Sequence, residues 1–146
     1  MSLIEIKDIY KVYHPGEESE VRALNGVSVN IDYGEFVAVL GTSGSGKSTM
    51  MNILGCLDVP SHGSYMLGGN EVATLSDNAL SRVRSQAIGF IFQGYNLIKD
   101  LTAVENVELP LIYRNIGRTR RRELALEALK AVGLENRLHH RPSEMS

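Results

Sequence analysis

Gly41-Thr42-Ser43-Gly44-Ser45-Gly46-Lys47-Ser48-Thr49 decides the reading of this 146-residue chain. It fulfils the pattern of glycine, four residues, glycine, lysine, and serine or threonine: a P-loop, the cradle of a nucleoside triphosphate. Holding several negative charges where water is partly excluded requires fixed donors, since unpaired charge there is very costly. Gly41, Gly44 and Gly46 permit backbone conformations that other residues resist, so successive N–H groups can converge on phosphate oxygens. A helix beginning near Lys47 adds its positive end. Lys47 supplies a full charge to the β- and γ-phosphates, Ser48 a hydroxyl ligand for Mg2+, and Thr49 a further hydrogen bond to phosphate.

The flanks agree with this reading. The apolar run 36–40 leads into Gly41 as a buried-type strand, and residues 48–57 continue as a helix carrying Met50, Met51, Ile53, Leu54 and Leu57. Upstream, Ile4 and Ile6 alternate with Glu5 and Lys7, so 3–9 reads as a half-buried strand that extends toward Tyr13. The segment 14–20, with proline, glycine and clustered acids, is an exposed loop, and Val27, Val29 and Ile31 form a second strand. Downstream, 64–67 is a short strand turned by Gly68-Gly69-Asn70, and a helix capped by Ser76 or Asp77 runs to about residue 85. Ile88-Gly89-Phe90-Ile91-Phe92 is a second continuous apolar run of buried-strand length, ending at Gln93. Thr102-Ala103-Val104-Glu105 has capping-box spacing, with Pro110 inside or just past the helix that it starts. From 119 to 132 the apolar residues Leu124, Ala125, Ala128, Leu129 and Val132 share one helical face, and Gly133 stops it.

Composition sets outer limits. The chain has the length of one compact domain, with the 43% apolar content of an ordinary soluble protein. Fifteen basic against seventeen acidic residues give a net charge of −2, no global attraction for nucleic acid or an anionic membrane. Cys56 is the single cysteine, which excludes an intramolecular disulfide and fits a reducing compartment and a packing role. The N-terminus lacks a signal-peptide layout, and no run approaches the roughly 18 apolar residues of a membrane span. His139-His140 lacks further ligands and reads as surface. Arg118, Arg120, Arg121 and Arg122 oppose a helix dipole, which leaves two readings: a solvated helix face, or a face for an acidic partner or lipid headgroups.

A P-loop alone leaves kinases, GTPases and many ATPases open. The set of 27–31 leading into Gly34-Glu35-Phe36, then 41–49, then 88–93, resembles the nucleotide-binding domain of ABC transporters over nearly the whole chain. Asn96-Leu97-Ile98 and the stretch 101–111 look most like the lipoprotein-release and macrolide-export group. The resemblance implies an α/β fold of the P-loop NTPase type, in its N-terminal part. It divides the chain into an antiparallel β subdomain with P-loop core strands (1–93), a Q-loop joint (94–100) and part of a helical subdomain (101–146). It implies that Tyr13 stacks on adenine and that Gln93 joins the Mg2+ shell with Ser48 and senses the γ-phosphate. Lys47 and Gln93 are the residues to which it gives a part in catalysis, with ATP and Mg2+ as cofactors. It further implies transmembrane permease subunits and a second, head-to-tail nucleotide-binding domain as partners, no nucleic acid, and a cytoplasmic, peripheral location on the inner face of the cell membrane. The short path from Lys47 to Gln93 leaves no room for the insertions of DNA-repair relatives.

The chain also departs from that family. Residues 141–146 align with the lead-in to the signature motif, with Met145 in place of its leucine, and the family's Walker B aspartate, catalytic glutamate and switch histidine have no counterpart in these 146 residues. The expectation is Mg-ATP binding without hydrolysis by this chain alone; the alternative is a non-hydrolysing nucleotide-binding or assembly fragment. Edges such as 36–40 are then expected to lack strand partners, with a swapped dimer, a complementing fragment or a partial chain as the open possibilities.

Overall fold

The computed structural model describes residues 2–94 and 96–145. Its chain divides into two compact units, Met1–Arg84 and Ser85–Ser146.

The first unit is built on a four-stranded antiparallel sheet in the order β2-β1-β3-β4. Its strands are β1 (Ser2–Tyr13), β2 (Val21–Asp32), β3 (His62–Leu67) and β4 (Asn70–Glu71), and the helix α1 (Lys47–Leu54) lies between β2 and β3 in sequence. The two long strands extend further than alternation alone indicates. Simple alternation also fails inside β1, where Ile6 and Ile9 are both buried although three residues apart. A bulge explains it. Ile6 pairs with Val29 and Ile9 with Val27, so β1 spends one more residue than β2 over the same interval. The extra residue allows both isoleucines to face the core. Asp8 takes φ 47° there, and Ser28 Oγ accepts its N–H at 2.9 Å.

On the other side of the bulge stands Gly63, with φ +98°. A Cβ at this position would lie 2.3 Å from the Asp8 carbonyl oxygen and 2.6 Å from that of Lys7. Only glycine lets β3 approach here. Cys56 and Tyr65 are buried in the same unit, and the Tyr65 hydroxyl donates to the Leu54 carbonyl at 2.8 Å. Burial pushes the Cys56 thiol up, against the opposing influence of Arg84, so it stays neutral in a packing role.

The run 36–40, expected as a buried strand, joins no ladder among the described residues. Phe36 is 98% and Leu40 88% exposed. Strand character needs a neighbour to accept and donate backbone hydrogen bonds, and apolar sequence cannot supply one. Val37, Ala38, Val39 and Leu40 instead border an apolar cavity of about 430 Å³ with Val27, Val29 and Ile31 of β2 and Met50, Met51 and Leu54 of α1. The helix is also shorter than expected: it ends at Leu54, and Leu57 is exposed beyond it.

The helix α2 (Asp77–Ala87) spans the division between the units. In the second unit the run 88–92 is likewise unpaired among the described residues, with Ile91 fully exposed and the Phe90 and Phe92 rings stacked at 5.7 Å. Tyr95, within the expected joint, and Ser146, at the expected signature motif, lie outside the described residues. The helices α3 (Ala103–Tyr113) and α4 (Arg118–Ala131) bury Ala103, Val104, Ala125 and Leu129 together. The capping box forms as spaced: Thr102 Oγ1 accepts the Glu105 N–H at 3.4 Å, and Glu105 Oε2 accepts the Thr102 N–H at 2.8 Å. Two more first-turn donors of α3 find the carbonyls of His140 and Leu138, at 2.8 and 3.1 Å. The side chains of both terminal histidines remain exposed. Pro110 falls inside α3. In α4 the buried stripe turns from Ala125 and Leu129 toward Leu126, leaving Ala128 and Val132 exposed. Within the arginine cluster, Arg120 pairs with Glu123 at 3.1 Å and Arg122 with Glu108 of α3 at 3.7 Å.

Gly63→Ala is expected to lower the stability of the first unit by more than about 2 kcal/mol, because backbone must move at the bulge. Gly16→Ala, at φ +81° with open space around it, is expected to cost only about 1–2 kcal/mol. Urea denaturation followed by circular dichroism compares the two, and equal midpoints would contradict the close approach.

Candidate nucleotide-binding site

The P-loop residues stand where β2 meets α1. Gly46 is the N-cap of α1, takes a left-handed conformation, φ 88°, and gives the helix's first N–H groups no side-chain cap. Those donors are therefore presented outward at the positive end of the helix. Gly44 is also left-handed, at φ 78°. The Ser45 N–H donates to the Thr42 carbonyl at 3.3 Å, and the Met50 N–H to the Gly46 carbonyl at 2.8 Å, which closes the loop onto the helix. Lys47 reaches back across it, donating from Nζ to the carbonyls of Gly41 at 2.9 Å and Thr42 at 2.6 Å. Its ammonium is thus held over the mouth of the loop.

Gly46 also fixes where the loop sits on the sheet. A Cβ there would come within 2.5 Å of the Ala23 carbonyl oxygen and 3.0 Å of Leu24 Cδ2. The loop therefore lies directly on the first residues of β2. Tyr13 pairs with Val21 across the β1–β2 ladder, which brings the last residue of β1 to the same place. Tyr13, Val21, Arg22 and Ala23 together with Ser43, Gly44, Gly46, Lys47, Ser48 and Thr49 line a cavity of about 360 Å³. Motif reading supplied Tyr13 and the loop; it missed 21–23, because Asn25-Gly26 interrupts the pattern and hides the continuity of β2. Gly26 breaks the pattern for a physical reason: at φ +73° it accommodates the Tyr10 ring, whose hydroxyl lies 2.9 Å from where a Cβ would be.

Around Tyr13 the polar groups are closely matched. Its hydroxyl donates to Asp58 Oδ2 at 2.9 Å, and Lys11 Nζ lies 4.9 Å from its ring centroid. Lys11 in turn pairs with Asp58 Oδ1 at 2.6 Å. Burial works to raise the Asp58 carboxyl, but hydrogen bonds from Lys11, Tyr13 and the Val59 N–H outweigh it and hold it below the ordinary range. On the rim, Arg22 meets Glu20 at 3.0 Å, and Glu20 is held low by the Gly16 N–H and then by Arg22.

The donor set fits a magnesium-bound triphosphate. A left-handed glycine against backbone, N–H groups with no side-chain cap, an ammonium and the exposed Ser48 hydroxyl are what polyphosphate and its cation require. Gln93 belongs to the second unit, where its side chain is exposed. Among the described residues, no three carboxylate, imidazole or thiol side chains cluster to hold a metal by themselves.

Residues 24–146 match the ABC transporter family. An uncharacterized ABC transporter ATP-binding protein of Thermotoga maritima is 49% identical over 144 residues, which cover 99% of this chain and 61% of the relative. The macrolide export ATP-binding/permease protein MacB of Escherichia coli is 51% identical over 144 residues, covering 99% of this chain and 22% of MacB. Among solved structures, the dimeric post-hydrolysis state of the ATP-binding cassette MJ0796 bound to ADP and Pi superposes with a TM-score of 0.84 at 45% identity, covering 98% of this chain and 63% of the cassette. The chain belongs to the ABC transporter family, close to the macrolide-export group, and spans 61% of the Thermotoga relative and 22% of MacB.

Gly46→Ala is expected to weaken Mg-ATP binding by at least about tenfold, since the left-handed strain alone is worth about 1–3 kcal/mol before any clash with Ala23. Gly34→Ala, at φ +81° but in open space, serves as the control and is expected to leave affinity unchanged. Isothermal titration calorimetry of both variants checks it; equal losses would mean that the effect is general destabilisation.

Proposed function

We propose that this ABC-family chain is the Mg-ATP-binding part of a transporter motor, and that Tyr13 and residues 41–49 hold the nucleotide. The observation that carries the reading is the cavity shared by an aromatic ring, a glycine loop, an ammonium and the hydroxyls of Ser43, Ser48 and Thr49. In it the uncommitted N–H groups of the loop and of the first turn of α1, with the dipole of that helix, neutralise the phosphates, Lys47 adds charge at the β- and γ-phosphates, and Thr49 adds a hydrogen bond. Ser48 and Gln93 would be the side chains to hold a magnesium ion, which when bound would offset phosphate charge. Lys47 and Gln93 are the residues of this chain with a part in catalysis. Tyr13 offers its ring to the adenine, a contact worth about 0.5–1.5 kcal/mol beyond burial.

For these 146 residues taken alone the reading is binding without turnover. The lining carries no carboxylate or imidazole to act on an attacking water, and phosphoryl transfer depends on positioning that water as well as on charge. In the whole assembly we assign ATP hydrolysis to head-to-tail pairs of such domains, coupled to transmembrane permease subunits and driving export or lipoprotein release. Residues 94–100 would be the joint and 101–146 part of the helical subdomain that meets the permease. No described helix is long and apolar enough to cross a membrane; attachment to the inner face of the cell membrane is assigned to the transmembrane permease subunits, and no nucleic acid is needed.

Calorimetric titration with ATP is expected to show binding that weakens when EDTA removes Mg2+ and is lost in Lys47→Ala, with no phosphate release above background. Full affinity in Lys47→Ala would refute the cradle. Turnover that Lys47→Ala abolishes would refute binding without hydrolysis.

A further inference from the structure

Asp58 lies outside the P-loop and does not line the cavity, yet its carboxylate accepts both the hydroxyl of the base platform and the ammonium that packs on the same ring. Oδ2 accepts the Tyr13 hydroxyl at 2.9 Å. Oδ1 accepts Lys11 Nζ at 2.6 Å and the Val59 N–H at 2.8 Å. Lys11 Nζ, only 12% exposed with its side chain, is completed by the Val59 carbonyl at 2.8 Å. The backbone of Asp58 is fastened in turn, since the Leu57 and Asp58 N–H groups both donate to the Asn52 carbonyl of α1, at 2.8 and 3.3 Å. The carboxylate is therefore fixed to the same helix whose first turn forms the phosphate cradle.

We infer that Asp58 is a positioning residue for base recognition: anchored to α1 and paired with Lys11, it pins the Tyr13 hydroxyl and so sets the plane of the ring on which a purine base stacks. This rests on the reading of Tyr13 as the base platform. The physical reason lies in the torsions of tyrosine. A strand-end ring turns about two side-chain bonds, and offset stacking gains its energy only over a narrow range of plane and offset. A hydrogen bond at the far end of the ring fixes the first torsion directly; the hydroxyl oxygen lies on the axis of the second, which is restrained because a phenolic O–H prefers to lie in the ring plane and so turns that plane toward its acceptor. Lys11 acts on the same ring from one face, at 4.9 Å from the centroid, which leaves the opposite face for the base. Phosphate recognition needs none of this. The cradle is made of backbone and Lys47, so loss of Asp58 is expected to reduce the preference for a nucleotide over a bare polyphosphate and to leave polyphosphate binding intact.

The test is calorimetric titration of the full chain and its variants with Mg-ATP and with Mg-tripolyphosphate, reading the ratio of the two affinities. Tyr13→Ala is expected to lower the ratio by about tenfold, loss of stacking being worth roughly 1–1.5 kcal/mol. Tyr13→Phe keeps the ring and the Lys11–Asp58 pair and cuts only the anchor. It is expected to lower the ratio by about fivefold, the effect of one hydrogen bond of about 1 kcal/mol. Asp58→Asn is expected to match it, and the Tyr13→Phe/Asp58→Asn double variant to fall no further than either alone. An unchanged ratio in Tyr13→Ala would sink the base-platform reading and this inference with it. A lowered ratio in Tyr13→Ala with wild-type ratios in Tyr13→Phe and Asp58→Asn would overturn the inference alone. Equal weakening of both ligands by Asp58→Asn would also overturn it, since that is the signature of a merely structural ion pair.

Discussion

The structure of the first unit depends on how closely the backbone of the loop can approach the backbone of β2. At Gly46 there is no room for a methyl group between the loop and the Ala23 carbonyl. That approach makes the start of α1 and the paired ends of β1 and β2 into one wall, so Tyr13 and the loop share a cavity despite the 27 residues between positions 13 and 41. Glycine costs conformational entropy in the unfolded chain. The cost is offset because a left-handed N-cap leaves the first N–H groups of the helix pointing outward and uncommitted to a capping side chain. Elsewhere a serine or aspartate cap is worth only a few tenths of a kcal/mol over glycine; here it would have no room and would fill the first-turn donors that an anion needs.

The same logic of donors explains the contrast between α1 and α3. In α3 the first turn is satisfied several times over, by Thr102, by the carbonyls of Leu138 and His140, and by the reciprocal contact of Glu105. Glu105 is held low first by the Thr102 N–H and hydroxyl. A helix whose N-terminus is consumed by its own chain has no anion affinity to offer; it has rigidity instead. Between them the two helix starts show one backbone feature put to opposite uses, and the residue at the cap decides which.

These differences also mark what could be read from the sequence. The loop, the capping box, the reversals at Gly68-Gly69 and the stop at Gly133 were legible because each is set by residues within a few positions of one another. The bulge at Asp8 was not, since it exists only in the pairing of Ile6 and Ile9 with Val29 and Val27. Residues 36–40 and 88–92 carry the composition of buried strands, and composition was all the sequence could show. A strand is a relation between two segments, and among the described residues these have none. Val21, Arg22 and Ala23 went unread for a related reason: their part in the cavity comes from pairing with β1 and from the loop packed on them. Ala128 and Val132 show the limit of helical periodicity, which finds an apolar stripe but not which edge of it the partner covers.

The cavity's lining separates two kinds of recognition that differ in how they tolerate change. In the proposed function phosphate is met by N–H groups, which every residue but proline carries, so the cradle would depend on backbone conformation and hence on glycines and Lys47. The base would be met by a single ring, which depends on orientation. A backbone cradle that is displaced by strain fails for any phosphate ligand, whereas a ring that loosens fails only for ligands with a base. The ion pair of Lys11 and Asp58 belongs to the second kind. Replacing a half-buried pair by apolar groups can be neutral for stability, so stability alone does not explain why a lysine with 12% side-chain exposure is placed against a tyrosine at the edge of a phosphate loop. Orientation of that tyrosine does.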